Sequence, residues 1–185
     1  MSYNFENGYK IRNQEGFFFL TFTIVGWIDI FSRKNCRDII IKNLKYCREH
    51  KSLLVGAYVI MTNHIHIICQ SQTGKLSDTV RDFKSFSTKE IIKYIEENAE
   101  SRKEWLLYLS KFYANKTNQN KEYKLWTNDN HPEKIISADF LKQRVNYIHE
   151  NPVRAGWVNE PQYYVYSSAS NYILGEGIMD IDFLY

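Results

Sequence analysis

Residues 53–70, which read LLVGAYVIM, then TN, then HIHIICQ, constrain the fold of this chain more than any other stretch. Two runs rich in apolar and β-branched residues are separated only by Thr62 and Asn63. Runs of this kind predict strands, and so short a connection pairs two strands antiparallel, as a β-hairpin. The sequence therefore predicts a core built on an antiparallel sheet that contains this hairpin.

The segments around the hairpin add helices and further strands. Residues 17–28 are aromatic and β-branched and predict a first strand. Residues 34–50 and 76–97 have apolar side chains at helical spacing, and a helix is expected again around Trp105 to Phe112. EYKLWT (122–127) predicts another short strand, and the last helix is expected from an N-cap at Ser137 to Asn151. This order favours an α+β fold, a ferredoxin-like sandwich with a largely antiparallel central sheet and helices packed on it.

Length and composition indicate one globular domain spanning residues 1–185, with a core over about 17–172 and a C-terminal tail packed on it. The three cysteines have no C-x-x-C spacing, which favours free thiols in a reducing compartment. The N-terminal residues lack an apolar signal core, and no stretch is long and apolar enough to cross a membrane. We therefore expect a cytoplasmic protein without membrane contacts.

His64 and His66 form a His-x-His pair on the predicted second hairpin strand. Side chains alternate on a strand, so both imidazoles point to one face and can bind one cation. For the pair alone, two histidines on the solvated face of a half-buried strand are the favoured explanation. Other histidine sites fit worse: a histidine-triad hydrolase needs a third histidine where Ile68 stands, and a two-histidine phosphoesterase needs Ser or Thr in place of His66.

Tyr147 and Asn151 lie one turn apart on the predicted last helix and so share a face. Tyr147 offers a phenol that could attack phosphorus, and Asn151 offers an amide oxygen for a hard cation. A packed tyrosine and a helix-capping asparagine before Pro152 would explain the pair without chemistry. Together with the histidines, however, the set suits Mg²⁺ or Mn²⁺ beside a phosphodiester.

These residues also carry a family resemblance. YVIMTNHIHII, YIHENPVRAGWV and the later YVYSSA occur in the order found in the HUH single-tyrosine transposases of the insertion-sequence-200-like type. The resemblance spans roughly residues 17–172 and is nearest to the REP-associated tyrosine transposases. It implies a ferredoxin-like sheet with helices on one face. Two departures concern DNA specificity: Trp126 is followed by Thr127 where relatives commonly have Gln, and the polar stretch 114–123 lengthens the loop before the last helix.

The resemblance further implies a function. His64, His66 and Asn151 would hold the metal, and Tyr147 would cut single-stranded DNA near imperfect hairpins, leaving a 5′-phosphotyrosine and a free 3′-OH. A 3′-OH could then reverse the step and join strands without ATP. The DNA would lie in the bacterial cytoplasm, in association with the nucleoid. Family members include monomers and dimers that exchange the tyrosine helix, so a homodimer is one expectation.

Basic and aromatic side chains are the candidates for DNA contacts outside this set. Some of the cations on or beside the predicted helices 76–97 and 137–151 are expected to contact phosphates. They are Arg81, Lys84, Lys142, Arg144 and Arg154. Trp126, Trp157 or exposed tyrosines could stack on unpaired bases. We expect His149 to face away from Tyr147 in a packing or surface role, and His131 to be a loop residue.

Two other functions compete with the transposase. A catalytically silent DNA-hairpin-binding protein derived from a transposase would need no nucleophile, so it does not explain why Tyr147 and the histidines are present. An RNA-binding module on the same sheet would place exposed aromatic residues on the central strands, where this chain has histidines.

Overall fold

A computed structural model describes residue 11 and residues 14–116 and 122–184 of the chain. The strands are β1 (Phe18–Thr23), β2 (Leu53–Ile60), β3 (His64–Ser71) and β4 (Glu133–Lys134). The helices are α1 (Lys34–Lys51), α2 (Leu76–Glu97), α3 (Lys103–Asn115), α4 (Ala138–Arg154) and α5 (Ala169–Leu174). The three helices predicted between residues 34 and 115 and both strands of the hairpin are confirmed.

The four strands form one open antiparallel sheet in the order β2-β3-β1-β4. The predicted hairpin is present, with Ile60 paired to Ile65 across the turn. β1 pairs along the other edge of β3, so that Thr21 lies opposite His66. This mixed α/β architecture confirms the predicted fold class, and it places the His-x-His strand in the middle of the sheet.

Helices cover both faces of the sheet, whereas the resemblance implied helices on one face. Phe22 points to the face where it contacts Phe83 of α2. Phe19 is three residues away and therefore points to the opposite face, where it contacts Tyr147 of α4. A strand that is covered on both sides can be apolar almost throughout, which explains why β3 is buried along most of its length.

Two strand predictions were wrong in detail. The first strand ends at Thr23 and not at 28, because the chain turns sharply at Gly26 and Trp27. EYKLWT forms only a single bridge between Trp126 and Ile24. The fourth strand is instead the two-residue Glu133–Lys134, which is too short and too polar to give a strand pattern in the sequence.

Helix α4 begins as predicted but ends later than predicted. The Ser137 hydroxyl accepts a hydrogen bond from the Phe140 amide at 3.2 Å, which confirms the N-cap. The helix does not stop at Asn151; it continues through the buried Pro152 to Arg154. A proline removes one backbone donor, and near the end of a helix that loss is small enough for the last turn to persist.

The three cysteines have free thiols, as predicted. Cys36, Cys47 and Cys69 are free and buried, and burial raises the pKa of each thiol well above its ordinary value. In the part of the chain that the structure describes, every helix is too short or too polar to cross a membrane.

The C-terminal segment lies against β2. The Asp182 carboxylate accepts a hydrogen bond from the Val55 amide at 2.8 Å, and the Asp182 amide donates to the Val55 carbonyl at 2.8 Å. The Tyr172 hydroxyl donates to the Gly56 carbonyl at 2.9 Å. Next to these bonds, the side chain of Leu184 occupies the space that a Cβ on Gly56 would fill.

We expect Gly56→Ala to lower the free energy of unfolding by about 1–3 kcal/mol, because the new methyl group overpacks the site held by Leu184. Urea denaturation followed by circular dichroism measures this change. Combining it with Leu184→Ala should recover part of the loss, since the clashing side chain is then gone. Strict additivity of the two substitutions would show that the tail contact is not the cause.

Candidate active site

The histidine pair lies on the sheet face that α4 covers. The rings of His64 and His66 are 4.7 Å apart between centroids. His66 is 6% exposed, while His64 is partly exposed at the start of β3. Antiparallel pairing of β1 with β3 puts the Thr21 side chain directly beside His66. The histidine pair therefore lies on a sheet face that α4 partly covers, and not on a fully solvated face.

Each imidazole is held through its Nδ1 atom. Nδ1 of His66 lies 2.9 Å from the Thr21 hydroxyl, and Nδ1 of His64 lies 2.7 Å from the amide oxygen of Asn63. The Asn63 amide nitrogen donates to the Trp27 carbonyl at 3.3 Å, which fixes which side of the amide faces His64. An amide oxygen can only accept, so Nδ1 of His64 carries the proton and Nε2 keeps a lone pair. Such partners are those that orient metal-binding histidines.

Both imidazoles are neutral at pH 7. Burial lowers the pKa of His66, and the neighbouring His64 and the guanidinium groups of Arg154 and Arg144 act in the same direction, so that this pKa is about 3. Burial also lowers the pKa of His64. Protonation would cost free energy in this environment, whereas a neutral imidazole is the form that coordinates a cation.

The Tyr147 side chain extends from α4 to the sheet face that carries the histidine pair. Its ring meets the His66 ring edge-on, with 5.2 Å between centroids, and meets Phe19 at 5.9 Å. Phe19 in turn stacks on His66 at 5.4 Å. The three rings form one packed cluster, so the tyrosine that is distant in sequence and the histidine of β3 are direct neighbours in the fold.

Asn151 follows Tyr147 by one helical turn. Its amide nitrogen donates to the Tyr147 carbonyl at 2.8 Å, so Oδ1 is the atom that remains for a ligand. No group of three or more His, Cys, Asp or Glu side chains suited to a metal occurs among residues 14–116 and 122–184. The amide oxygen of Asn151 is chemically suitable as a ligand for a hard cation.

Two guanidinium groups border Tyr147. The Arg154 guanidinium lies 4.6 Å from the centre of the Tyr147 ring and donates to the Tyr147 carbonyl at 2.9 Å. Arg144 lies 6.0 Å from the same ring and forms an ion pair with Glu133. Guanidinium groups recognise phosphate oxygens well, so this flank of the tyrosine suits a phosphodiester.

The other predicted DNA-contact residues lie elsewhere. Arg81 pairs with Asp78 and Asp82. Lys84 donates to the Thr127 carbonyl at 3.0 Å and lies 5.1 Å from the Phe22 ring, on the sheet face opposite Tyr147. Lys142 is exposed on α4. Of the five cations, only Arg144 and Arg154 are brought to the tyrosine.

The expected stacking role of Trp126 does not fit its position. Trp126 is 4% exposed and donates from its indole nitrogen to the Ser87 hydroxyl at 3.0 Å, so it belongs to the core. Trp157 is 42% exposed. Sequence composition alone could not distinguish these two indoles.

The remaining histidines have the roles expected of them. His149 is buried and turned away from Tyr147, with Nε2 2.9 Å from the Ser168 hydroxyl. His131 is exposed beside Asp129 in a loop. Sequence reasoning did not identify Asn63, Thr21 or Trp27 as part of the site. The position of Asn63 immediately before His64 was the only available signal.

The chain is similar to one known protein family and to two solved structures. The family model "Transposase IS200 like" matches residues 28–149, which is more than half of the chain and includes both histidines and Tyr147. No curated protein matches the sequence. A solved REP-associated tyrosine transposase bound to a REP hairpin has a TM-score of 0.59 at 18% identity, covering 97% of this chain and 92% of the other. This similarity shows a shared fold.

A second solved structure, a transposase-like protein of Deinococcus radiodurans R1, has a TM-score of 0.45 at 15% identity, covering 80% of this chain and 95% of the other. The match to the family model extends over the strand with the histidine pair and over α4 up to His149. The chain therefore belongs to the IS200-like transposase family.

Proposed function

We propose that this chain is a metal-dependent single-stranded DNA transposase that cleaves and rejoins DNA near imperfect hairpins through a 5′-phosphotyrosine. The observation that carries the proposal is the direct contact of the Tyr147 ring with the ring of His66. A nucleophile and a pair of neutral imidazoles on one sheet face can act on the same phosphodiester. The family match and the hairpin-bound relative support DNA as the substrate.

His64, His66 and Asn151 are the proposed metal ligands, with Mg²⁺ or Mn²⁺ as the cation. When bound, the metal would polarise the phosphodiester and stabilise the charge of its transition state. Asn63 sets the tautomer of His64, and Thr21 and Asn63 hold the two imidazoles in position through their Nδ1 atoms. Arg144 and Arg154 would hold the non-bridging phosphate oxygens near Tyr147. Arg81, Lys84 and Lys142 are proposed to contact more distant phosphates.

Tyr147 performs the covalent step. Its phenolic oxygen loses a proton to solvent and attacks phosphorus in line, while the bond from phosphorus to the 3′-oxygen breaks and that oxygen takes up a proton. The products are a 5′-phosphotyrosine and a free 3′-OH. The phosphotyrosine link keeps the free energy of the broken DNA phosphodiester. Attack by another 3′-OH can therefore restore a DNA strand and free Tyr147.

Incubation with labelled single-stranded DNA from the flanks of the gene, with Mn²⁺ or EDTA, tests the proposal. A metal-dependent covalent band on a denaturing protein gel is the expected result. Hairpin binding without a band, over several flanking hairpins and both metals, would favour the catalytically silent binder. We also propose that the protein can form a homodimer, which size-exclusion chromatography with light scattering tests. The proposed location of the protein is the bacterial cytoplasm, in association with nucleoid DNA.

Arg154→Gln should weaken binding of single-stranded DNA and reduce the slope of log K against log salt by about 0.7, the value for one lost phosphate contact. Fluorescence anisotropy at several salt concentrations gives this slope. Lys45→Gln is the matched control, because Lys45 is an exposed cation of α1 on the other side of the sheet. Equal slopes for the parent and Arg154→Gln would remove Arg154 from the DNA contact.

A further inference from the structure

Trp27 lies at the rim of the histidine pair although nothing in the reaction requires it. Its indole is 68% exposed and meets the His64 ring edge-on, with 6.3 Å between centroids. Its backbone is left-handed, at φ 55°, directly after Gly26 at φ 63°. A bulky residue adopts this conformation at a cost, and such strain persists only where the surroundings impose it. Here it displays a large aromatic surface to solvent.

Asn63 ties this strained turn to the site. The Asn63 side chain donates to the Trp27 carbonyl and accepts from His64, and the Asn63 carbonyl accepts from the Ile24 amide at 2.9 Å. The Trp27 amide donates to the Ile24 carbonyl at 3.1 Å. The backbone of Trp27 and the His64 ring are therefore bound to one shared residue, which places the turn that carries the indole next to the proposed metal site.

The turn that carries Trp27 contacts α3 through Gly26. The Tyr113 side chain packs against Gly26, since a Cβ on that glycine would lie 2.7 Å from the Tyr113 hydroxyl. Tyr113 contacts Phe112 at 5.5 Å, and Phe112 stacks with Tyr108 at 6.3 Å. Tyr108 and Phe112 are 64% and 40% exposed. Aromatic rings thus lead from the rim of the site to the outer face of α3.

Cations accompany these rings. The Lys116 ammonium lies 4.3 Å from the centre of the Phe112 ring. The Arg102 guanidinium lies 5.4 Å from the ring of Trp105, which is 46% exposed one turn before Tyr108. Exposed aromatic rings interleaved with cations are the combination that binds single strands, because bases stack on the rings while phosphates meet the charges.

We propose that Trp27 and the exposed α3 aromatics Tyr108 and Phe112 form a stacking track for the single strand that enters or leaves the histidine pair. This inference rests on the proposed function for its substrate class. Trp27 takes the base nearest the site, and the α3 rings take bases further along the strand. The track extends the site around the end of the sheet, and its contacts are independent of base identity because every base has an aromatic face.

Binding of labelled DNA oligonucleotides in EDTA, in a Tyr147→Phe background, tests the track apart from catalysis. Short strands carry the hairpin and a few flanking nucleotides; long strands carry about eight more on one side or the other. We expect Trp27→Ala to weaken both by roughly tenfold, and Trp27→Phe to recover part of the loss. Tyr108→Ala should weaken binding only of strands extended on one side.

Tyr46→Ala is the matched control, since Tyr46 is 48% exposed on the last third of α1, away from the start of β3. Circular dichroism of each variant verifies folding, which surface positions should leave intact. Unchanged binding of long strands by Trp27→Ala and Tyr108→Ala would overturn the track. Loss of DNA affinity in the track variants, together with no adduct from the protein that keeps Tyr147 and is supplied with Mn²⁺, would preserve the track and refute the proposed chemistry.

Discussion

Replacing Tyr147 with phenylalanine is expected to abolish the covalent protein–DNA adduct, a loss of at least ~10³-fold, while DNA affinity changes little. The substitution removes one oxygen atom. The ring contacts with His66 and Phe19, and with them the packing of α4 on the sheet, are retained. A denaturing gel with labelled hairpin DNA and Mn²⁺ measures adduct formation, and anisotropy measures binding.

The control for this experiment is Tyr163→Phe, because the chain has 14 tyrosines and an exposed one could react in place of Tyr147. Tyr163 is 62% exposed shortly after α4 and should support full adduct formation when changed. Peptide mapping of the wild-type adduct identifies the modified residue directly. An adduct that persists in Tyr147→Phe would show that another side chain is the nucleophile.

His66→Gln is expected to weaken Mn²⁺ binding and adduct formation by at least about 100-fold. Loss of a partner that orients a metal ligand costs about 10–100-fold, so loss of a ligand should cost no less. Glutamine keeps a polar side chain of similar length beside Thr21 and limits the cavity. Calorimetric titration with Mn²⁺ measures affinity without depending on catalysis.

Two further variants are compared with His66→Gln in the same titration. Thr21→Val removes the hydroxyl beside Nδ1 of His66 and should give an intermediate loss. His149→Gln changes a buried histidine that contacts Ser168 and not the pair, so the folded protein should keep its Mn²⁺ affinity. Equal affinities for the parent and His66→Gln would show that the pair does not bind the metal.

Local sequence patterns predicted most of the fold because strands, helices and helix caps depend mainly on residues that are close together in the chain. The hairpin followed from two apolar runs with a two-residue connection, and α1, α2 and the Ser137 cap followed from spacing and capping chemistry. The two incorrect predictions, for β4 and for the end of α4, concern features that depend on contacts with distant parts of the chain. β4 has two residues and exists only because β1 offers an edge, and α4 continues through Pro152 because its last turn packs against the fold.

For the site, the sequence by itself determined which atoms are present: two imidazoles at strand spacing, and a phenol and an amide at helical spacing. Only the tertiary structure decided that Tyr147 meets His66, that Arg144 and Arg154 border it while Arg81 and Lys84 do not, and that Trp126 is buried while Trp27 is displayed. The physical reason is separation along the chain. Residues within one strand or helical turn are positioned by backbone geometry, whereas residues 81 positions apart are positioned by how the sheet and helices bury their apolar faces.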